Sequence, residues 1–174
     1  MLDKLFDIFH AVWEEKPYVI IMQYQRGVFY RFGKYKRTIP AGMYGKIPLI
    51  DHVSIHSIAW ETIELDVQSF NTSDNKSVSV KGIVKFRITN VAKYDINVLN
   101  AKSAISDVIM GIIINQLKDK TWADIRGGHY DEAITSAAKD VAKDWGIKVS
   151  TVTLVDIVEG VSVRLFGNQK GIVE

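Results

Sequence analysis

Val78, Val80, Val84, Phe86 and Ile88 take every second position between residues 77 and 89, and Gly82 fills the gap. Ser79, Lys81, Lys85 and Arg87 fall between them, with Ile83 the one apolar residue in that set. Alternation over this length predicts an extended strand with one dry face and one wet face. A wet face argues for antiparallel pairing, because parallel sheets are usually covered on both sides. The turn formers of 71–75, Asn-Thr-Ser-Asp-Asn, lead into it. This strand is the expected centre of a sheet on which the earlier and later parts of the chain pack.

Over residues 1–15, Leu2, Leu5, Phe6, Phe9, Val12 and Trp13 keep the spacing of one helical stripe, and Pro17 stops the helix. Residues 18–32 read as two strands interrupted near 25–27, where Gly27 allows a turn or bulge. Pro40, Gly42, Gly45 and Pro48 mark 33–48 as a loop. Residues 52–70 are extended again, with Trp60, Ile63, Leu65 and Val67 as their apolar content. From 93 to 118 the period turns helical, and Ala101, Ala104, Ile105, Val108, Ile109, Ile112 and Ile113 form a face broad enough to demand burial. A short turn of helix at 121–126 closes on Gly127 and Gly128. A second helix starts at Asp131, with Ile134, Ala137, Ala138, Val141 and Trp145 on one stripe and Gly146 placed to end it. A strand is expected over 147–157, another over 161–165, and a tail over 167–174. Strand and helix blocks that segregate in this way indicate an α+β fold.

The chain has 174 residues, enough for one domain or two small lobes sharing a core. Net charge is +2, so any nucleic-acid or membrane argument must rest on a local patch. The absence of cysteine excludes disulfides, thiol catalysis and cysteine-ligated metals. No run reaches the roughly 18 apolar residues of a spanning helix, and no secretory signal is present. The expected setting is cytoplasmic, at the periphery of a membrane, or within a larger particle such as a virion.

Candidate chemistry is thin. Gly27 to Gly33-Lys34 has one residue too many for a P-loop, and Tyr35 stands where the magnesium-binding hydroxyl belongs. His52 and His56, on a strand, would lie about 13 Å apart, too far to share an ion. His129 opens a helix beside Asp131 and Glu132, acids suited to the positive end of the dipole. Glu61, Glu64 and Asp66 lie along one strand and do not converge. No Ser stands in a nucleophile elbow. No catalytic residue, cofactor or metal site is therefore expected, and the chain is read as not an enzyme. From Lys16 to Ile50 there is no acidic residue, and Arg31, Lys34, Lys36 and Arg37 are interleaved with Phe29, Tyr30, Phe32 and Tyr35. That run suits anionic headgroups or an acidic partner surface, single-stranded nucleic acid, or a solvated sheet face over core aromatics.

Several words stand in order. Arg26-Gly-Val-Phe-Tyr-Arg-Phe-Gly-Lys34 leads into Pro40-Ala-Gly-Met-Tyr-Gly-Lys-Ile-Pro48. Thr72-x-Asp74 precedes the strand ending Lys85-Phe-Arg-Ile-Thr89. Trp122-Ala-Asp-Ile-Arg126 precedes Asp144-Trp-Gly-Ile-Lys-Val149 and Val152-x-Leu-Val-Asp156. In this series the chain resembles the stomatin/prohibitin family, the SPFH or Band 7 domain, and is most similar to its stomatin branch.

The resemblance implies a bent antiparallel sheet lobe followed by a helix-plus-strand lobe. The expected divisions are an amphipathic helix at 1–16, the SPFH/Band 7 domain at 17–157, and a C-terminal strand and tail at 158–174. It also implies a non-catalytic scaffold that self-associates into a homo-oligomer at a membrane surface and regulates partners such as a membrane protease or channel. Leu5, Phe6, Phe9 and Trp13 are then candidates for membrane or subunit docking, and Arg31, Lys34, Lys36 and Arg37 for acidic contact. Stomatin-like proteins usually carry a membrane-inserting N-terminal segment and a long C-terminal coiled coil. Residues 1–15 are short and acidic by comparison, and the chain ends soon after the module. That contrast motivates a second expectation, a structural subunit of a soluble ring or particle, such as a virion collar or decoration protein. Weak nucleic-acid binding is the third.

Overall fold

The structure, a computed structural model, describes residues 16–160. The helix expected over 1–15, with Leu5, Phe6, Phe9 and Trp13, and the strand and tail expected beyond 160 lie outside the described residues.

Five short strands form the first lobe: β1 (Tyr18–Ile21), β2 (Gln25–Arg31), β3 (Lys34–Ile39), β4 (Gly42–Gly45) and β5 (Asp51–Ser57). They make an antiparallel sheet in the order β3-β2-β5 and a separate antiparallel pair, β1-β4. Ile21 of β1 meets Phe29 and Ile39 in a small buried cluster, flanked by Val19, Tyr44 and Val53. Gly27 lies inside β2, not at a break. A Cβ there would stand 2.6 Å from Ile21 Cδ1 and 2.8 Å from Ile39 Cγ1, so the glycine lets these side chains close over the sheet. The strand break falls at residues 22–24, where the Gln25 N–H donates to the Met22 carbonyl at 2.9 Å. The span 33–48 is not a loop, as the sequence pattern suggests, but contains β3 and β4. Residues 34–38 of β3 are all exposed on a sheet edge, so no buried alternation marks the strand.

The second lobe is centred on β8 (Ser77–Ile88), whose even-numbered residues are all buried. Along one edge it pairs antiparallel with β6 (Glu61–Glu64) and β7 (Gln68–Asn71), and along the other with β9 (Ile147–Gly160). Gly82 sits on the dry side because a Cβ would press to 3.2 Å on Leu65 Cδ1 and on the Thr153 carbonyl.

Helices α1 (Val91–Asn97), α2 (Ala101–Leu117), α3 (Trp122–Gly127) and α4 (Asp131–Asp144) follow β8. The helix expected over 93–118 is two, bent by 84° at residues 98–100. Asn100 takes the left-handed conformation at that corner, which Asn tolerates. Buried Ile105, Ile109, Met110, Ile113 and Leu117 seat α2 in the core with Val80, Val84 and Phe86. α4 presents Ile134, Thr135, Ala138 and Ala142, while Val141, expected on that stripe, is 39% exposed. Thr135 is buried because its hydroxyl accepts the Val152 N–H at 2.9 Å, tying α4 to β9. The Thr72-x-Asp74 word is a brace. Thr72 donates to Asp74 at 2.5 Å, and Asp74 accepts the Trp122 N–H at 3.2 Å, holding the β7–β8 turn against α3.

Candidate functional site

The basic run of the first lobe is divided by the fold. Lys34, Lys36 and Arg37 stand exposed on β3. Lys36 drops out of pairing, because the register passes from Phe29–Arg37 to Tyr30–Tyr35. Arg37 lies over the Phe29 ring at 5.8 Å. Arg31 is occupied inside the protein: its Nε and Nη2 donate to the two carboxylate oxygens of Asp51 at 2.7 and 3.0 Å. Asp51 also accepts the Ile47 N–H at 2.9 Å. The Arg31 hydrogen bonds outweigh burial, which acts upward, and with the Ile47 N–H they hold the Asp51 carboxyl at about 2.

This pair draws residues 46–50 against the end of β2. The Phe32 N–H donates to the Ile50 carbonyl at 2.9 Å, and the Lys46 N–H to that of Pro17 at 2.9 Å. The β2–β3 turn, the β4–β5 connection and residue 17 thus share one end of the lobe. Phe32 and Leu49 both take left-handed backbone there, at φ 51° and 68°. That region costs a bulky L-residue about 1–2 kcal/mol. Both side chains nonetheless face solvent, 74% and 81% exposed, next to half-exposed Ile47. The end of the lobe is an apolar tip, with the cations of β3 leading from it. On the outer face of β1-β4, Ile20 stands opposite Met43, and Tyr18 and Met22 share its side.

A second polar group ties the lobes together. Asp95 of α1 accepts from Tyr30 of β2 and, at 2.8 Å, from Ser54 of β5. His56 Nε2 lies 2.6 Å from the same carboxylate and 3.0 Å from Ser54 Oγ. The His56 ring stands edge-on to Tyr94 at 5.1 Å. Burial pushes Asp95 up, and the hydrogen bonds from Tyr30, Ser54 and His56 more than offset it, leaving the carboxyl below its ordinary value. Burial and the Asp95 partner together push the Tyr30 hydroxyl up. Ser, His and Asp are all present, but the geometry is not that of a proton relay. A catalytic imidazole meets its nucleophile with one ring nitrogen and its carboxylate with the other. Here Nε2 faces both, and Ser54 itself donates to Asp95. The cluster is a clamp.

His52 of β5 is exposed and lies tilted against Tyr30 of β2, and His129 is exposed ahead of α4. Glu61 pairs with Lys102 at 2.6 Å and Glu64 with Lys81 at 2.8 Å. Among the described residues, no group of three His, Cys, Asp or Glu side chains is placed to hold a metal, and no single helix is long and apolar enough to cross a membrane. Sequence reasoning missed Asp51, Leu49 and Asp95. Pro48-Leu-Ile50, apolar residues where turn formers are expected, was the available signal for the tip. Nothing local marks Asp95, whose partners lie 65 and 39 residues away in the chain.

A small-sheet lobe ending in an apolar tip, clamped to a helix-packed lobe, defines a platform domain. The family model for the SPFH domain / Band 7 family matches residues 19–164, and the chain belongs to that family. It is 27% identical over 144 residues to a band 7 family protein of Acanthamoeba polyphaga mimivirus, covering 82% of this chain and 48% of that one. It is 28% identical over 144 residues to stomatin of Mus musculus, covering 79% and 50%. It is 28% identical over 151 residues to a stomatin homolog of Pyrococcus horikoshii, covering 79% and 53%. The chain spans about half the length of these curated relatives. The family is generally non-enzymatic, and its stomatin-like members usually associate with membranes.

Proposed function

We propose that this chain is a non-catalytic, stomatin-like scaffold that docks on a membrane surface through the tip of its first lobe, self-associates there and organises partner membrane proteins. The observation that carries the reading is the pair Phe32 and Leu49. Both are large and apolar, both occupy backbone that resists large side chains, and both point into solvent. Strain retained at such positions argues for a role outside the fold. Phe and Leu suit the headgroup–acyl boundary. Lys34, Lys36 and Arg37 face anionic headgroups, each near-surface cation contributing about 1 kcal/mol. Arg31 serves this surface through Asp51, by holding the 46–50 segment in place. Leu5, Phe6, Phe9 and Trp13, outside the described residues, are proposed as further docking residues on the spacing of their apolar stripe alone.

Liposome flotation with phosphatidylserine vesicles tests the reading. The parent chain floats, and the double variant Phe32→Asn, Leu49→Asn stays at the bottom while keeping its fold. Asn accepts left-handed backbone, so loss of flotation reports lost apolar insertion, not unfolding. Equal flotation of parent and variant, or none by the parent at low salt, rejects the docking.

A second reading is a structural subunit of a soluble ring or particle. Its support is the apolar outer face of β1-β4, where Tyr18, Ile20 and Met43 suit burial by another copy. Sedimentation without detergent separates the two: a closed, monodisperse oligomer favours the particle subunit, and a monomer that binds only vesicles favours the membrane scaffold.

A further inference from the structure

Where the lobes meet, opposite the tip, Arg26, Thr38, Ile58, Arg87, Thr89 and Asn90 line an open cleft of about 490 Å³. Its chemistry is unbalanced. Arg26 uses one guanidinium nitrogen on the carbonyls of Gln23 and Gln25, at 3.3 and 2.8 Å. Arg87 Nε is buried without a hydrogen-bond partner, the one such side-chain atom among the described residues. The Arg87 guanidinium lies 4.8 Å over the Trp60 ring, with Lys85 Nζ 6.0 Å from the same ring. On the ladder Arg87 stands directly opposite Lys148, a like-charge pairing that repels. No carboxylate among the described residues forms an ion pair with Arg26, Lys85, Arg87 or Lys148. Asn90 commits its side-chain oxygen to the Lys93 N–H at 3.1 Å, which leaves its amide nitrogen as a further donor.

Donors without acceptors, and cations without acids, call for an oxyanion. A guanidinium fork matches phosphate oxygens in pairs. We propose that this cleft binds a phosphomonoester dianion, gripped between Arg26 of the first lobe and Arg87 of the second. The ester substituent occupies the remaining space, which exceeds a bare ion. Bound there, the ligand neutralises the Arg87–Lys148 repulsion and bridges the lobes beside the Asp95 clamp, stiffening the angle between them.

The source is soluble. Arg26 and Phe32 are six residues apart along β2, about 20 Å, so a lobe docked by its tip holds the cleft away from the headgroups. This choice of source rests on the tip reading; the anion chemistry does not.

Calorimetric titration of the full chain in chloride buffer tests the site, with inorganic phosphate and glycerol 3-phosphate as probes. Binding at about 1 mM or tighter is expected. Arg26→Gln and Arg87→Gln should each weaken it by about tenfold or more, and Lys34→Gln with Lys36→Gln should leave it unchanged. Arg26→Gln removes hydrogen bonds only to the Gln23 and Gln25 carbonyls at the start of β2 and keeps the test decisive if Arg87→Gln misfolds. No heat from either probe up to about 10 mM, or equal heat in both arginine variants, overturns the site. Phosphatidic acid vesicles form the second arm. Capture that is lost in Arg26→Gln but not in Phe32→Asn, Leu49→Asn keeps the site and overturns both the soluble source and the tip.

Discussion

In the first lobe Ile21, Phe29 and Ile39 form a small buried cluster, while Tyr18, Ile20, Met22, Phe32, Met43 and Leu49 stand in solvent. In the second, the buried cluster runs continuously from Leu65 through the β8 row and α2 to Val152, and it takes in Val28 of β2 from the first lobe. Most of the exposed large apolar side chains among the described residues belong to the smaller lobe. A short, two-layered lobe of strands cannot cover its own apolar surface, so that surface is available to a membrane or another copy. The second lobe can, because a helix lies across the dry face of its central strand. Buried core therefore concentrates in one lobe and exposed apolar surface in the other, with Val28 and the Asp95 clamp joining them.

The sharpest break of this contrast is a core truncation in each lobe. Phe86→Ala should cost about 3–5 kcal/mol in denaturant unfolding. Phe29→Ala should cost less than Phe86→Ala, because its cluster is small and two guanidiniums already flank the ring. Equal costs would deny that the second lobe carries the stability. Gly146→Ala tests how α4 turns into β9. Gly146 has φ 72°, and a Cβ would stand 2.4 Å from the Asn90 carbonyl oxygen. The substitution should cost about 2 kcal/mol or more, read from the unfolding midpoint.

The clamp gives an acid-side prediction. Asp51 and Asp95 both have folded-state values below their unfolded ones. Each contributes stability that is present above the ordinary carboxylate value and is lost as pH falls through the lowered one. For Asp51 that window runs from 3.8 down to about 2. Asp95→Asn should flatten the stability-versus-pH curve on the acid side and lower neutral-pH stability by about 2 kcal/mol, since Tyr30 and Ser54 lose a charged acceptor. An unchanged acid limb would remove the clamp from the account. The smallest effect is expected at the tip. Phe32→Asn and Leu49→Asn should each stay within about 1 kcal/mol of the parent in the same unfolding measurement, although they abolish flotation. A large loss would show that these residues hold the fold.

The alternation from Val78 to Ile88 was legible because a strand with one dry face writes its burial into every second residue. Gly146 and the stripe of Ile134 and Ala138 were legible for the matching reason at helical spacing. β3 was not, because an edge strand held by backbone pairing leaves its side chains unconstrained. Nor was the α1–α2 corner, since both arms are apolar and the bend falls at three residues without Pro or Gly. The run without acids from Lys16 to Ile50 was read correctly as a sequence, yet its Arg31 is neutralised by Asp51, one residue past the end of the run.

Local periodicity, composition and family words determined the α+β class, the central strand, the order of the lobes and the absence of cysteine chemistry. Tertiary structure alone decided which cations are paired, which apolar residues stay wet, and that Arg26 meets Arg87 across a cleft. The physical reason is range. Burial repeats along a segment and can be counted in it. Charge pairing and donor excess depend on residues that are distant in sequence and become neighbours only when the two lobes close on each other.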